Sequence, residues 1–148
     1  MDMQKKAFLI RLFFLSVIIN YIWEMLQMPL YQNMPFNELR SWLLCFRASL
    51  GDGIIILFIW LIGYLIYRQT DWFVHKSISS LAIILLSGTL IAIGIEIHAL
   101  STGRWAYSNV MPLIPVIGVG LSPLLQLLLL PWMSMWAAVN TGKNSTKK

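Results

Sequence analysis

Three carboxylates and one imidazole sit in or beside the hydrophobic runs of this chain: Glu24, Asp52, Glu96 and His98. A charged side chain inside a membrane-spanning helix costs roughly 2.5 to 3.5 kcal/mol on insertion scales, so it faces a partner or a wet cavity. A carboxylate desolvated in such a cavity can act as an acid or base, and a histidine there can bind a ligand or relay a proton. Glu24, Glu96 and His98 are therefore the candidate catalytic groups. Asn20, Asp52, Arg104, Trp105, Tyr107 and Gln126 are the candidate substrate contacts. The densest stretch is Ile91 to Tyr107, IAIGIEIHALSTGRWAY, where an apolar run breaks into Glu96, His98, Arg104, Trp105 and Tyr107.

Spacing ties these groups to helix faces. Ser16, Asn20 and Glu24 recur at i, i+4, i+8 and form one polar stripe, which Gln27 continues. Gly88, Ala92 and Glu96 repeat the same period, so a seam of small residues leads directly to a carboxylate. Gly118, Ser122 and Gln126 share a third face. Lipid penalises the polar stripe, so it should point into a bundle. His98 lies about 200° round the helix from Glu96, so the two need not face one pocket.

The elements that must position these stripes are apolar helices. At 58% hydrophobic residues, 11% charged and a mean hydropathy of +0.72, the chain is no soluble domain, whose charged fraction is nearer about 25%. Its 148 residues hold one membrane domain, residues 1–148. The expected fold is all-α, a polytopic integral membrane bundle of four transmembrane helices with one short interfacial helix in the first loop. The spans are placed at about 7–28, 50–67, 78–100 and 112–139. The first exceeds the apolar core of a secretory signal and lacks a small-x-small cleavage site. Pro29 ends it. Glu38 to Ala48, ELRSWLLCFRA, carries apolar residues at helical spacing and is the candidate interfacial helix. The fourth region is interrupted by Pro112, Pro115, Gly118, Gly120, Pro123 and Pro131, which predicts a broken or re-entrant start and a regular helix from about Leu121.

Net charge is +5, but the positive residues flank the apolar runs instead of forming a nucleic-acid-binding face. Both termini fall on the side that carries Lys5, Lys6, Arg68, Lys76, Lys143, Lys147 and Lys148. The other side carries Arg40, Arg47 and Arg104. The positive-inside rule puts both termini in the cytoplasm, with the bacterial inner membrane as the expected location. The Asn144-Ser145-Thr146 sequon then stays unmodified. In this topology Glu24, Asp52, Glu96, His98 and Gln126 lie at one depth, towards the exoplasmic face. The polar loop after the second span holds Arg68, Asp71, His75 and Lys76, and the chain begins with a polar tail that includes Asp2. One cysteine, Cys45, excludes an intramolecular disulfide framework.

Simpler readings exist for most of these residues. Asp52 can cap the second helix, since acids near a helix N-terminus complement its dipole. Glu24 can mark the headgroup boundary. Trp105 and Tyr107 can be belt aromatics, and Arg104 can meet lipid phosphates or pair with Glu96. Glu24, Asp52, Glu96 and His98 are acceptable ligands for iron, manganese or zinc, but no paired Glu-x-x-His signature or close-spaced His or Cys pair is present. No metal is assigned and the cofactor is left open.

Gly103 to Tyr107, GRWAY, followed by Met111 to Gln126, MPLIPVIGVGLSPLLQ, resembles the small membrane-embedded lycopene cyclase domains. In those, a Gly-x-Trp loop leads into a helix opened by Pro-x-Glu-Glu. The resemblance covers about one sixth of the chain and implies an isoprenoid substrate and acid chemistry on an olefin. Here Pro123-Leu124-Leu125-Gln126 occupies the place of Pro-x-Glu-Glu and holds no acid. Glu24 or Glu96 would then supply the proton.

Two classes of function follow. The first is a membrane-embedded enzyme or binder whose carboxylate-lined exoplasmic pocket takes an apolar lipid or isoprenoid. The second is a non-catalytic subunit that stabilises or orients a larger membrane complex, with its polar residues as interhelical glue. Membrane lipid is a partner in both, and self-association or a membrane partner protein fits a bundle this thin. Nucleic acid is not an expected partner.

Overall fold

A computed structural model describes residues 3–74 and 77–145. Asp2, His75, Lys76, Thr146, Lys147 and Lys148, which enter the charge and sequon arguments, lie outside the described residues. Among the described residues four helices are long and apolar enough to cross a membrane: α1 (Met3–Gln27), α2 (Leu39–Tyr67), α3 (Ile78–Ser101) and α4 (Leu121–Ser145). Among the described residues there is no β-strand, only two isolated antiparallel bridges, Tyr31 with Tyr107 and Leu113 with Gly120.

Each helix begins and ends for a local reason. Pro29 lacks an amide hydrogen, and α1 gives way to a 3₁₀ turn over Met28–Leu30 before Tyr31 becomes extended. Arg68 closes α2 in the left-handed region, at φ 58°, with its amide bonded to the Tyr64 carbonyl. Ser77 caps α3 by accepting from the Ser80 amide at 3.1 Å. The proline-rich lead-in to α4 folds back on itself, with Ile114 N–H donating to Val119 O at 2.8 Å and Leu121 N–H to Pro112 O at 2.7 Å. Regular helix therefore starts at Leu121, as the proline and glycine pattern predicts.

One boundary differs from expectation. The segment Glu38 to Ala48 is no separate interfacial helix: from Leu39 onward it forms the first turns of a continuous α2. Neither proline nor a left-handed residue interrupts residues 39–67, and Ser49 Oγ returns its hydrogen bond to Cys45 O within the helix at 2.7 Å. Asp52 consequently sits deep inside α2 and cannot cap it.

α1 packs against α2 and α4, α3 packs against α4, and the α2–α3 contact is the thinnest side of this four-helix ring. Glycines set the closest approaches. A methyl group on Gly88 would collide with the Leu127 carbonyl oxygen, so α3 and α4 touch backbone to backbone there. Gly88, Ala92 and Glu96 are all buried, which bears out the small-residue seam. At the chain-terminal end of the bundle, Phe8, Trp60, Trp72, Phe73, Ile84 and Met135 form the apolar core. Outward faces carry Ile10, Phe14, Ile18 and Ile22 on α1 and Leu86 and Leu90 on α3, all exposed, a collar suited to lipid.

Candidate functional site

The polar stripe of α1 meets α4 at Gln126, which is buried. Its amide nitrogen lies 3.0 Å from Asn20 Oδ1, 3.0 Å from Glu24 Oε1 and 2.9 Å from Asp52 Oδ2. One side chain of α4 thus gathers two carboxylates and an amide from α1 and α2. A primary amide has two hydrogens, so three acceptors cannot all be served by it at once.

Gln27 is matched to its surroundings by contrast. Its nitrogen donates to Glu24 Oε1 at 2.9 Å and Gln126 Oε1 at 3.0 Å, and its oxygen accepts from Ser122 Oγ at 2.8 Å and Trp23 Nε1 at 3.2 Å. Asn20 turns its own nitrogen to Ser16 O at 2.8 Å. Gln27 completes the stripe seen in the sequence, and its partners lie on α1 and α4.

Glu96 has a different set of partners. Trp105 Nε1 donates to Glu96 Oε2 at 3.2 Å, and the Tyr107 hydroxyl donates to the same oxygen. Tyr107 in turn accepts from the Gly120 amide at 2.9 Å, linking α3 to the lead-in of α4. Trp105 and Tyr107 therefore face inward as donors to a carboxylate and are not only belt aromatics. Arg104 is exposed and makes no pair with Glu96.

A backbone staple covers these groups. Gln32 N–H donates to Ala106 O at 2.8 Å and Ser108 N–H to Leu30 O at 2.9 Å, so the loop after α1 and the loop after α3 pair around Tyr31 and Tyr107. The Tyr31 ring sits edge-on to Trp105, 6.3 Å between centroids. Burial, reinforced by the negative potential of Glu96, Glu24 and Asp52, pushes the Tyr31 phenol well above its ordinary range. Burial and the bond to Glu96 do the same for Tyr107. Both remain neutral O–H groups at physiological pH.

Beneath the staple lies a cavity of about 630 Å³ whose walls include Glu24, Asp52, Glu96 and Gln126 together with Tyr31, Trp105, Arg47 and Arg104. It falls within the roughly 300 to 1,000 Å³ of small-ligand sites. All four helices wall the cavity, and α2 and α3, the neighbours in thinnest contact, contribute Gly51, Asp52, Ile55, Ala92, Ile95 and Glu96. Gly51 on that wall is exposed, and a methyl group added there would meet nothing within 4 Å.

Of the residues singled out from sequence, the structure brings Asn20, Glu24, Asp52 and Gln126 into one hydrogen-bonded cluster, with Glu96, Trp105 and Tyr107 in a second. Glu96 and Trp105 line the same cavity as Glu24 and Asp52, and Arg104 stands at its rim. His98 is not among them: it is exposed and absent from the cavity wall, in keeping with its angular offset from Glu96. Among the described residues no three His, Cys, Asp or Glu side chains are grouped as metal ligands. Tyr31 and Arg47 were not legible as site residues. The turn at Pro29 was the available signal for Tyr31, since it folds the chain back over Glu24. The chain matches no known family, and no curated protein or solved structure shows significant similarity to it.

Proposed function

We propose that this protein draws an apolar lipid or isoprenoid from the bilayer into the cavity between α2 and α3 and there exposes it to carboxylate chemistry. The observation that carries this reading is the convergence of Glu24 and Asp52 on the Gln126 amide at the wall of a ligand-sized cavity. Two carboxylates gathered on one amide inside an apolar bundle repel each other when both are charged, and one proton shared by the pair removes that cost. Such a proton is available to a bound substrate, and the vacated pair can take one back. Glu96, fixed by Trp105 and Tyr107, is the second acid–base group, and Asn20 orients Gln126. His98 keeps a role only if a ligand reaches the outer face of α3.

The resemblance of GRWAY and the following segment to lycopene cyclase domains supports an isoprenoid as the ligand. Where those domains carry acids, Gln126 stands in this chain and gathers acids from two other helices. The inferred location is the plasma membrane, the inner membrane of a bacterium, with both termini cytoplasmic and the cavity in the exoplasmic half. Mass spectrometry of lipids extracted from protein purified in mild detergent tests the reading. A stoichiometric isoprenoid or lipid is expected, retained in wild type and lost when Ile95→Trp fills the cavity. Protein that carries no such molecule and binds none on addition rules it out.

A non-catalytic subunit is the second reading, favoured by the full saturation of Gln27 by partners on α1 and α4, which is what interhelical glue requires. A co-purifying membrane protein in fixed ratio, with no bound lipid, would favour it.

A further inference from the structure

All three carboxylates of the site are met by neutral donors: Gln126 and Gln27 for Glu24, Gln126 for Asp52, and Trp105 and Tyr107 for Glu96. Yet two arginines, Arg47 and Arg104, line the same cavity. Both are exposed, and neither has a hydrogen bond or ion pair with any described residue. A cavity that contains both charges but pairs none of them keeps its cations uncommitted.

The order of residues along α2 gives the cavity a direction. Arg47, Gly51 and Ile55 follow i, i+4, i+8, as do Leu44, Ala48 and Asp52 one stripe over, and all six line the wall. Arg47 lies nearer the end of α2 that projects towards the loops, about 12 Å along the axis from Ile55 at a rise of about 1.5 Å per residue. Arg104 sits in the loop after α3, at that same end. The cavity therefore runs from two guanidinium groups at its mouth, past carboxylates, to the apolar Ile55, Ala92 and Leu127. Open space at Gly51 and the partly exposed Ile95 leave its α2–α3 flank accessible from the side.

We propose that this mouth binds the phosphate head of an isoprenoid or lipid monoester, held between Arg47 and Arg104, while its chain occupies the α2–α3 cleft. Guanidinium groups pair with phosphate through two parallel hydrogen bonds. Two forks arriving from separate elements can each take a different pair of the three terminal oxygens of a phosphate monoester, whose charge of up to about −2 also matches two cations. The carboxylates deeper in the cavity repel the anion and keep it at the mouth, where headgroups lie. This assignment rests on the cavity reading above and adds the chemistry of the head.

Binding of farnesyl phosphate, farnesol and inorganic phosphate to the full chain in neutral detergent, followed by calorimetry, tests it. Farnesyl phosphate should bind at least about tenfold more tightly than farnesol. Arg47→Gln and Arg104→Gln should each erase most of that preference, weakening farnesyl phosphate far more than farnesol. Ile95→Trp should block both amphiphiles. Equal affinities in wild type, unmoved by the arginine variants, overturn the headgroup assignment and leave the cavity reading standing. Inorganic phosphate that binds as tightly as farnesyl phosphate overturns the amphiphile and marks a free-anion site. Failure of both amphiphiles to bind protein that still melts cooperatively overturns both readings.

Discussion

Gln126 Nε2 and Asp52 Oδ2, 74 residues apart in the chain, lie 2.9 Å from each other across the bundle. Through this bond α4 holds the only acidic group of α2, and the same nitrogen reaches two acceptors on α1. Gln126→Leu removes the donor and leaves two carboxylates and an amide oxygen facing a methyl group. Hydrogen bonds to charged groups contribute roughly 1.5 to 3 kcal/mol each. Thermal melts in detergent should show a loss of about 3 kcal/mol or more, against little change for Leu129→Ala on the exposed face. Equal melting temperatures would mean that the cluster is solvated.

The α3–α4 contact makes a paired prediction about two glycines of α3, Gly88 and Gly94. Gly88→Ala places a methyl group against the Leu127 backbone and should lower stability in detergent. Gly94→Ala meets nothing within 4 Å and should raise it by up to about 1 kcal/mol, because alanine favours helix over glycine. Opposite signs in the two melts are the expected outcome. Same-sign shifts would mean that the helices do not touch at Gly88.

Ser16 Oγ and Ser134 Oγ are buried with no hydrogen-bond partner among the described residues. A buried hydroxyl left unpaired is a cost to the folded state. Ser16→Ala and Ser134→Ala should therefore be neutral or stabilising by about 1 kcal/mol, an unusual result for fully buried positions. A marked loss of stability in either variant would reveal a partner for that hydroxyl.

Alkaline titration reports on the covered loops. Tyr31 and Tyr107 have phenols held above the ordinary value, so the folded state keeps their protons after an unfolded chain has released them. Their contribution to stability is full below about pH 10, the usual tyrosine value, and falls as pH rises beyond it. Phenolate absorbance should show two tyrosines that resist ionisation until the protein unfolds. Tyr31→Phe combined with Tyr107→Phe should remove that late phase. A double variant with an unaltered titration curve would overturn the assignment.

Orientation is open to direct labelling. In a Cys45→Ala background, cysteines introduced at Ser145 and Ser108 should react from opposite sides of the membrane, Ser145 from the cytoplasm. The reversed pattern would put the cavity in the cytoplasmic half and leave the bundle itself untouched.

The helices were legible because apolar runs, Pro29 and the proline-rich stretch before Leu121 mark them by composition alone. So were the inward faces, since Asn20, Glu24, Gly88, Ala92, Glu96 and Gln126 fall on i, i+4 stripes that lipid would penalise. Asp52 was misread as a possible cap because the charged Glu38 to Ala48 segment looks like a surface helix. Its continuity with α2 depends on packing against α1, where Tyr21 meets Phe46 edge-on at 6.1 Å. Pairing between Tyr31 and Tyr107 was out of reach for a similar reason: no local pattern announces a two-residue bridge between distant loops. His98 shows the limit of proximity in sequence, since two residues along a helix point to opposite sides.

The staple between Leu30–Gln32 and Ala106–Ser108 ties together the loops that carry the wall residues Tyr31 and Trp105, with backbone bonds reinforced by Ser108 Oγ donating to Pro29 O at 3.0 Å and Gln32 Nε2 to Tyr107 O at 2.9 Å. Those loops are thus a tied seam, and the α2–α3 flank, with open space at Gly51, is the proposed way in. A molecule arriving through that flank is counted against the lipids around it and not against the volume of water outside. Occupancy would then follow the mole fraction of ligand in the bilayer, so diluting the membrane with inert lipid should empty the cavity as surely as removing the ligand.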